Sequence, residues 1–175
     1  QKIQYSEAFD NAYWTKSGSS VVSGFVSPSG DLSSFKLIES ASNERHTIHS
    51  NIPTNSSTDY TLSAFVKKSE KKYVSLSALH NSTNGVTAQF DLELGAIVFK
   101  GSIGGIYTYV DSSIIELANG WYKISLTLQN TGTVTSTSIA LANDILTSPS
   151  VYINGSVYQG NGTSGIYIWG AQVEQ

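Results

Sequence analysis

The sequence contains no cysteine and no methionine, and charged residues make up only 13% of its 175 residues. Without cysteine, the chain has no disulfide, no thiolate metal site and no thiol nucleophile. The missing methionine at position 1 predicts a trimmed or processed piece of a longer protein. No apolar stretch approaches the ~20 residues that cross a bilayer, so we expect no membrane insertion.

Charge is also scarce in total, with a formal net charge of -3 and no basic stripe. Nucleic acid is therefore not an expected partner, because a phosphate backbone is bound by clustered positive charge. The densest basic cluster is the segment 67–72, which holds four lysines. It lies between two strand patterns, which favours a solvated hairpin loop over a contact with phosphate or an anionic glycan.

Small polar residues are abundant instead: serine and threonine together number 44, and asparagine adds 11. Threonine suits strands, whereas serine, asparagine and glycine suit turns. Hydrophobic residues at 39% supply a core, and the low net charge argues against a disordered chain. The length fits one soluble domain, so we expect residues 1–175 to form a single unit.

Period-two alternation of apolar and polar residues dominates the chain, and no amphipathic helix is visible. Turn signals such as Leu94-Gly95 and Asn119-Gly120 separate the alternating runs. Many short alternating strands predict an all-β, antiparallel sandwich or barrel. The predicted strands are Asp59–Lys67, Tyr73–His80, Trp121–Gln129, Val21–Val26, Phe35–Glu39, Arg45–His49, Thr87–Leu92, Ala96–Lys100, Ile106–Val110, Ser136–Ala142 and Ile166–Glu174.

No residue pattern identifies catalytic chemistry. The sequence has no Gly-x-Ser-x-Gly elbow and no Walker-type loop, and its thirteen acids are scattered. His46 and His49 would face opposite sides of a strand, which argues against a histidine metal pair. We therefore expect no enzyme activity.

Five aromatic residues fall in the polar phase of a strand or share one phase of a short strand. An exposed aromatic ring can carry the apolar C–H face of a pyranose. It can equally pack beneath a loop or against another subunit, and packing is the commoner role of an aromatic side chain. The candidate carbohydrate-binding residues are Phe65, Tyr73, Tyr107, Tyr109 and Trp121.

Several motifs occur in a familiar order. The strand Tyr60–Lys67 reads close to Tyr-Thr-Leu-Ser-Phe-x-x-Lys, and Asn119–Ser125 contains Gly-Trp-x-x-x-Ser. In these the chain resembles the carbohydrate-binding jelly rolls of families four, nine and twenty-two. Through Tyr5–Lys16, Phe90–Gly95 and Gly160–Glu174 it is similar, more closely, to a variant common in bacteriophage tail, fibre and virion-surface proteins.

The resemblance implies a jelly-roll β-sandwich that binds a cell-surface or extracellular glycan without catalysis, located on a virion surface or outside the cell. The alternative is a structural module that decorates a virion or closes a homo-oligomeric fibre, with its aromatic residues buried between subunits. Classical members bind a structural calcium near the opening motif, where Glu7 and Asp10 stand here. Their closing acidic pair is replaced by Trp169-Gly170, so we expect no cofactor and do not favour calcium.

The closing strand Ile166–Glu174 is apolar in both phases. Alternate residues from Tyr167 to Val173 share one phase, and Ile166 and Ile168 share the other. A strand that is apolar on both faces is typical of a central strand covered on both sides. We therefore do not expect Trp169 to contact a ligand.

Overall fold

The computed structural model of the protein describes residues 3–53, 58–131, 134–148 and 155–175. In that part of the chain no helix is long and apolar enough to cross a bilayer. A short 3₁₀ turn lies at Ala118–Gly120, and the rest of the regular structure is β. The strands are β1 Thr15–Ser17, β2 Ser19–Phe25, β3 Ser34–Glu39, β4 Asn43–Glu44, β5 Thr47–Pro53, β6 Thr58–Lys68, β7 Tyr73–Asn81, β8 Asn84–Asp91, β9 Ala96–Ile103, β10 Tyr107–Glu116, β11 Trp121–Asn130, β12 Val134–Ala142, β13 Tyr158–Gln159 and β14 Gly165–Glu174.

Two six-stranded sheets form the sandwich. Sheet 1 has the order β1-β5-β12-β7-β8-β9, and sheet 2 has the order β10-β11-β6-β14-β3-β2. The pairings within both sheets are antiparallel, and β4 with β13 makes a separate two-stranded ribbon. The predicted all-β fold, an antiparallel two-sheet β-sandwich of the jelly-roll type, is confirmed.

The lysine-rich segment 67–72 connects the two sheets, because β6 belongs to sheet 2 and β7 to sheet 1. Lys71 turns inward, and its Nζ lies 3.2 Å from Oε2 of the buried Glu39. Lys68 and Lys72 remain at the surface beside Glu93. The prediction of a solvated hairpin loop is therefore wrong: the segment is an inter-sheet connection, and one of its cations is paired with a buried carboxylate.

The core lies between the inner faces of the sheets. In β6 the side chains of Tyr60, Leu62, Ala64 and Val66 are all buried, as their shared phase predicts. Residues of β11 pair with them in register, for example Ile124 opposite Ala64, and continue the same apolar face. Each large aliphatic side chain buried in this way contributes about 1.5–3 kcal/mol to stability.

The outer face of sheet 1 is also covered. Ser75 and Ser77 of β7 and Thr87 and Gln89 of β8 are buried, although their polarity suggests a solvent-facing surface. The chain after β12 lies on this face, where the Gln89 side chain donates to the Asp144 carbonyl oxygen (2.9 Å) and accepts from the Leu146 N–H (2.8 Å). Small hydroxyl side chains leave room for this third layer of polypeptide.

The turns at Leu94-Gly95 and Asn119-Gly120 occur where the sequence predicts them. Gly95 has a φ of 66°, and the consecutive residues Asn119 and Gly120 have φ values of 62° and 79°. Two successive positive φ angles match the twist of a tight antiparallel hairpin, which explains why asparagine and glycine stand here. The hairpin joins β10 to β11 at the edge of sheet 2.

Strand β14 lies between β6 and β3, so its predicted central position is confirmed. Its register with β6 shifts between Trp169 and Gln172, where β14 holds one extra residue. Beyond this bulge Ala171 and Val173 are buried in the core, whereas Tyr167 and Trp169 before it lie on the outer side of sheet 2 and stay partly exposed. The predicted shared phase from Tyr167 to Val173 and the predicted covering of both faces are therefore wrong, because the bulge exchanges inside and outside.

Candidate functional site

Two of the five candidate aromatic residues are buried. Tyr107 is 1% exposed and Trp121 is 2% exposed, so neither ring offers a face to a ligand. Tyr107 and Tyr109 pair with Asn130 and Leu128, whose side chains face the interior, and cross-strand partners share one side of a sheet. Trp121 begins β11 directly after a tight turn that is closed by a hydrogen bond from the Leu117 N–H to the Trp121 carbonyl oxygen.

Tyr73 and Tyr109 are partly exposed but lie apart from each other and from Phe65. Tyr73 begins β7 in sheet 1, and Nζ of Lys72 lies 5.1 Å from the centre of its ring. Tyr109 packs against the core, and its hydroxyl forms a hydrogen bond with the Ser112 hydroxyl (2.6 Å). Nζ of Lys100 lies 5.5 Å from the centre of its ring. The structure therefore does not assemble the five candidates into one surface.

Phe65 does lie on an aromatic surface, formed with residues that the sequence prediction left out. It stands directly opposite Trp169 on the outer side of sheet 2, and the two ring centres are 5.2 Å apart in an edge-to-face arrangement. A second pair, Phe25 and Tyr167, has ring centres 5.0 Å apart. We call this surface, made of Phe25, Phe65, Tyr167 and Trp169, the aromatic face.

Lysine side chains interleave with these rings. Lys123 stands opposite Phe65 in β11, with its Nζ 5.8 Å from the centre of the ring. Tyr167 stands between Lys67 of β6 and Lys36 of β3. A depression of about 170 Å³ opens at the Tyr167 end of the aromatic face. It is lined by Phe25, Val26, Lys67 and Tyr167. Such a surface combines apolar ring area with positive charge.

The bulge in β14 sets the position of Phe65 and Trp169. Gly170 has a φ of 59°, and a Cβ at this position would lie 3.0 Å from Cδ2 of Phe65. The missing side chain lets the Phe65 ring lie against the backbone of β14. On the other side, the Trp169 indole N–H donates to the Ser33 hydroxyl oxygen (2.9 Å), which fixes the orientation of the indole.

We expect Gly170→Ala to lower the free energy of unfolding by about 1–2 kcal/mol, because a Cβ is disfavoured at positive φ and would crowd Phe65. Chemical denaturation followed by circular dichroism measures the loss. Gly105→Ala is the matched control, since a Cβ there meets no atom within 4 Å. Equal stability of the two variants would contradict this account of the bulge.

Glu7 and Asp10, the candidate calcium ligands, are both exposed. Calcium takes six to eight oxygen ligands, usually including several carboxylates. Across the described ranges, no three histidine, aspartate or glutamate side chains gather as a metal site. The residues present therefore do not fit a calcium centre of the kind that the resemblance implies.

The two neighbouring histidines have separate surroundings. His46 is buried, and its Nδ1 and Nε2 lie 2.6 Å and 3.0 Å from the carbonyl oxygens of Gly18 and Tyr158. His49 is partly exposed in β5, and burial lowers the pKa of its imidazole.

The sequence holds one signal for the outward position of Tyr167 and Trp169. Apolar residues in both phases of β14 favour a strand covered on both sides, whereas Gly170 after Trp169 marks the bulge that separates the two halves. Phe25 likewise follows a glycine with positive φ, Gly24, at a register shift in β2. Glycine next to an aromatic residue in a strand was the informative pattern.

No family model and no curated protein matches the sequence. Among solved structures the chain is similar to TmCBM61, a carbohydrate-binding module solved in complex with β-1,4-galactotriose. The two share 8% sequence identity with a TM-score of 0.51, and the match covers 100% of this chain and 99% of that chain. The chain therefore has a β-sandwich fold similar to that of this carbohydrate-binding module.

Proposed function

We propose that this protein is a non-catalytic glycan-binding module and that the aromatic face contacts the sugar. The observation that carries the proposal is the gathering of Phe25, Phe65, Tyr167 and Trp169 on the outer side of sheet 2, all partly exposed. The apolar C–H face of a pyranose stacks on such rings. The fold shared with a carbohydrate-binding module supports the same proposal.

Hydrogen-bonding groups border the rings, as sugar hydroxyls require. The row of residues beside Phe65 and Trp169 holds Gln172, Ser63 and Ser125, which stand opposite one another across three strands; Ser63 is buried, whereas Gln172 and Ser125 are partly exposed. The Ser125 hydroxyl lies 2.6 Å from the hydroxyl of its β10 partner Ser113. Rings for stacking and side chains for hydroxyl recognition therefore lie side by side on one surface.

A glycan array probed with the purified chain tests the proposal, with affinities of the hits measured by titration calorimetry. We expect Phe65→Ala and Trp169→Ala each to weaken binding at least tenfold, because aromatic anchors carry most of the binding energy of a contact surface. Thermal unfolding of each variant confirms that the fold is kept.

Tyr73→Ala is the matched control, since Tyr73 is a partly exposed aromatic residue of the other sheet. We expect it to bind as the unaltered chain does. Loss of binding in Tyr73→Ala with retention in Phe65→Ala would move the site to sheet 1. Absence of binding to every glycan on the array would refute the proposed function.

A second candidate is assembly through the same surface, as in a virion decoration or an oligomeric fibre. Exposed aliphatic side chains surround the aromatic face: Val22 is 47% exposed, Val26 57% and Ile115 54%. Burial of these residues against another subunit would remove apolar area from water. A solution mass well above 18.8 kDa, together with silence on the glycan array, would favour this candidate.

The proposed setting is a virion surface or the outside of a cell. Its support is the resemblance of Tyr5–Lys16, Phe90–Gly95 and Gly160–Glu174 to bacteriophage surface proteins. Many copies on one particle would raise a weak single-site affinity for a surface glycan. Labelling intact particles with an antibody against this chain tests the location.

A further inference from the structure

Resting on the proposed function, we propose that the ligand is an acidic glycan whose sugar carboxylate binds Lys67 while its ring packs against Tyr167 and Phe25. The starting point is the depression of about 170 Å³ at one end of the aromatic face. Three of its four lining side chains are apolar or aromatic, and the fourth is Lys67. A cation beside stacked rings matches a ligand that carries an apolar ring face and a negative group together.

Lys67 has no carboxylate partner of its own. Within the ranges that the structure covers, no aspartate or glutamate oxygen lies within 4 Å of Nζ of Lys67 or Lys123, whereas Lys36 is paired with Glu70 at 2.9 Å. The adjacent Lys68 is also neutralised, by Glu93 at 2.9 Å. Among the described residues Lys67 and Lys123 are thus two cations without a carboxylate partner at the aromatic face, although the net charge of the chain is -3.

Glu70 lies beside the depression and is already paired with Lys36, the neighbour of Tyr167 in β3. Glu174 stands opposite Thr61, which is six residues before Lys67 in β6. At about 3.3 Å per residue, this row is about 20 Å from Lys67. Asp31 also lies near the depression, because its carboxylate accepts hydrogen bonds from the hydroxyl of Ser27, the residue after Val26, and from the Ser33 N–H. Lys67 is the charged side chain among those that line the depression, and among the described residues it has no carboxylate partner.

A lysine ammonium in this position recognises a sugar carboxylate through a charge-assisted hydrogen bond. Hydrogen bonds to charged groups contribute about 1.5–3 kcal/mol, which corresponds to a ten- to hundredfold change in affinity. The depression is open to solvent, so such a pair is sensitive to salt. A neutral glycan cannot form this charge-assisted hydrogen bond, so the lysine selects for acidic sugars.

The experiment compares three acidic polysaccharides, polygalacturonate, alginate and hyaluronate, each with its own carboxyl-reduced derivative. Reduction converts the carboxylate to a hydroxymethyl group and leaves the linkages unchanged. We expect binding to at least one acidic polysaccharide and at least tenfold weaker binding to its reduced form. We also expect the affinity for the acidic form to fall when NaCl is raised from 50 mM to 500 mM, because salt screens the charge pair.

Two neighbouring lysines provide the matched variants. Lys67→Gln should weaken binding to the acidic polysaccharide ten- to hundredfold and leave binding to the reduced form within about twofold. Lys68→Gln removes the same charge one residue away, from a side chain already paired with Glu93, and should change neither. Both positions are on the surface, and thermal unfolding verifies that both variants fold.

Equal binding to acidic and reduced polysaccharides, or equal effects of Lys67→Gln and Lys68→Gln, would overturn the acidic-glycan inference and leave the proposed function standing. Binding on the array to neutral glycans alone would do the same. Absence of binding to every polysaccharide, acidic or neutral, would overturn the proposed function together with the inference.

Discussion

Glu39→Ala is expected to lower the free energy of unfolding by about 3–5 kcal/mol, because it removes one partner of a buried ion pair. The Glu39 side chain is 1% exposed and lies 3.2 Å from Nζ of Lys71. It also accepts hydrogen bonds from the Tyr158 hydroxyl (2.6 Å) and the Asn161 N–H (3.0 Å). Three groups would lose their acceptor at once.

The surroundings of Tyr158 show how tightly this cluster is built. Burial, and secondly the hydrogen bond that it donates to Glu39, raise the pKa of the Tyr158 hydroxyl above its usual value. Nζ of Lys71 lies 4.8 Å from the centre of the same ring. Glu39 thus ties strand β3, the connection between β6 and β7 and the segment before β14 together.

Denaturant unfolding measures the loss, with Glu93→Ala as the control. Glu93 also pairs with two lysines, Lys68 and Lys72, but at the surface, and its removal should change stability little. Glu39→Gln retains a hydrogen-bond acceptor and should cost less than Glu39→Ala. A loss below 1 kcal/mol for Glu39→Ala would show that the cluster contributes little.

Trp121→Ala is the second large effect, with an expected loss of about 3–5 kcal/mol. The indole is 2% exposed, so its truncation leaves a cavity in addition to the lost burial. Far-UV circular dichroism is the suitable probe, because removal of a tryptophan changes the fluorescence signal itself. A loss below about 1.5 kcal/mol would contradict a tightly packed Trp121.

Trp169→Ala serves as the control for residue type. Trp169 is partly exposed and holds one hydrogen bond, to Ser33, so we expect a smaller loss of stability than for Trp121→Ala. The pair separates the two roles that tryptophan has in this chain. A loss of glycan binding in Trp121→Ala would reflect lost stability of the fold. A loss of glycan binding in Trp169→Ala would reflect a lost contact between the aromatic face and the sugar.

Much of the architecture was predictable because period-two alternation depends on local sequence. In β6 and β11 the alternate residues from Tyr60 to Val66 and from Ile124 to Leu128 are buried as their phase indicates. Each predicted strand has a counterpart in the structure, whereas the short strands β1, β4 and β13 are too brief to produce a pattern. Strand pairing across the sheets depends on residues far apart in the chain, so alternation within single strands could not predict it.

The covering of a sheet face is likewise a tertiary property. Ser75 and Ser77 have the polarity of solvent-facing residues, yet both are buried, and chain that follows β12 hydrogen-bonds to Gln89, the cross-strand partner of Ser75. In β10 the register shift after Tyr109 turns Tyr107 toward the interior. Among the five candidate aromatic residues, alternation alone therefore placed Phe65 on the outer side of sheet 2 and failed for Tyr107.

The extra residue in β14 and the bulge that accommodates it have to change together. Without Gly170, Trp169, Ala171 and Gln172 would stand in plain alternation opposite Phe65, Ala64 and Ser63, and the outward rings and inward aliphatic side chains would keep their sides. A strand that kept all ten residues but lost the bulge would instead turn over either the half with Tyr167 or the half with Val173. One outcome would bury two bulky rings in the core, and the other would expose apolar core residues to water.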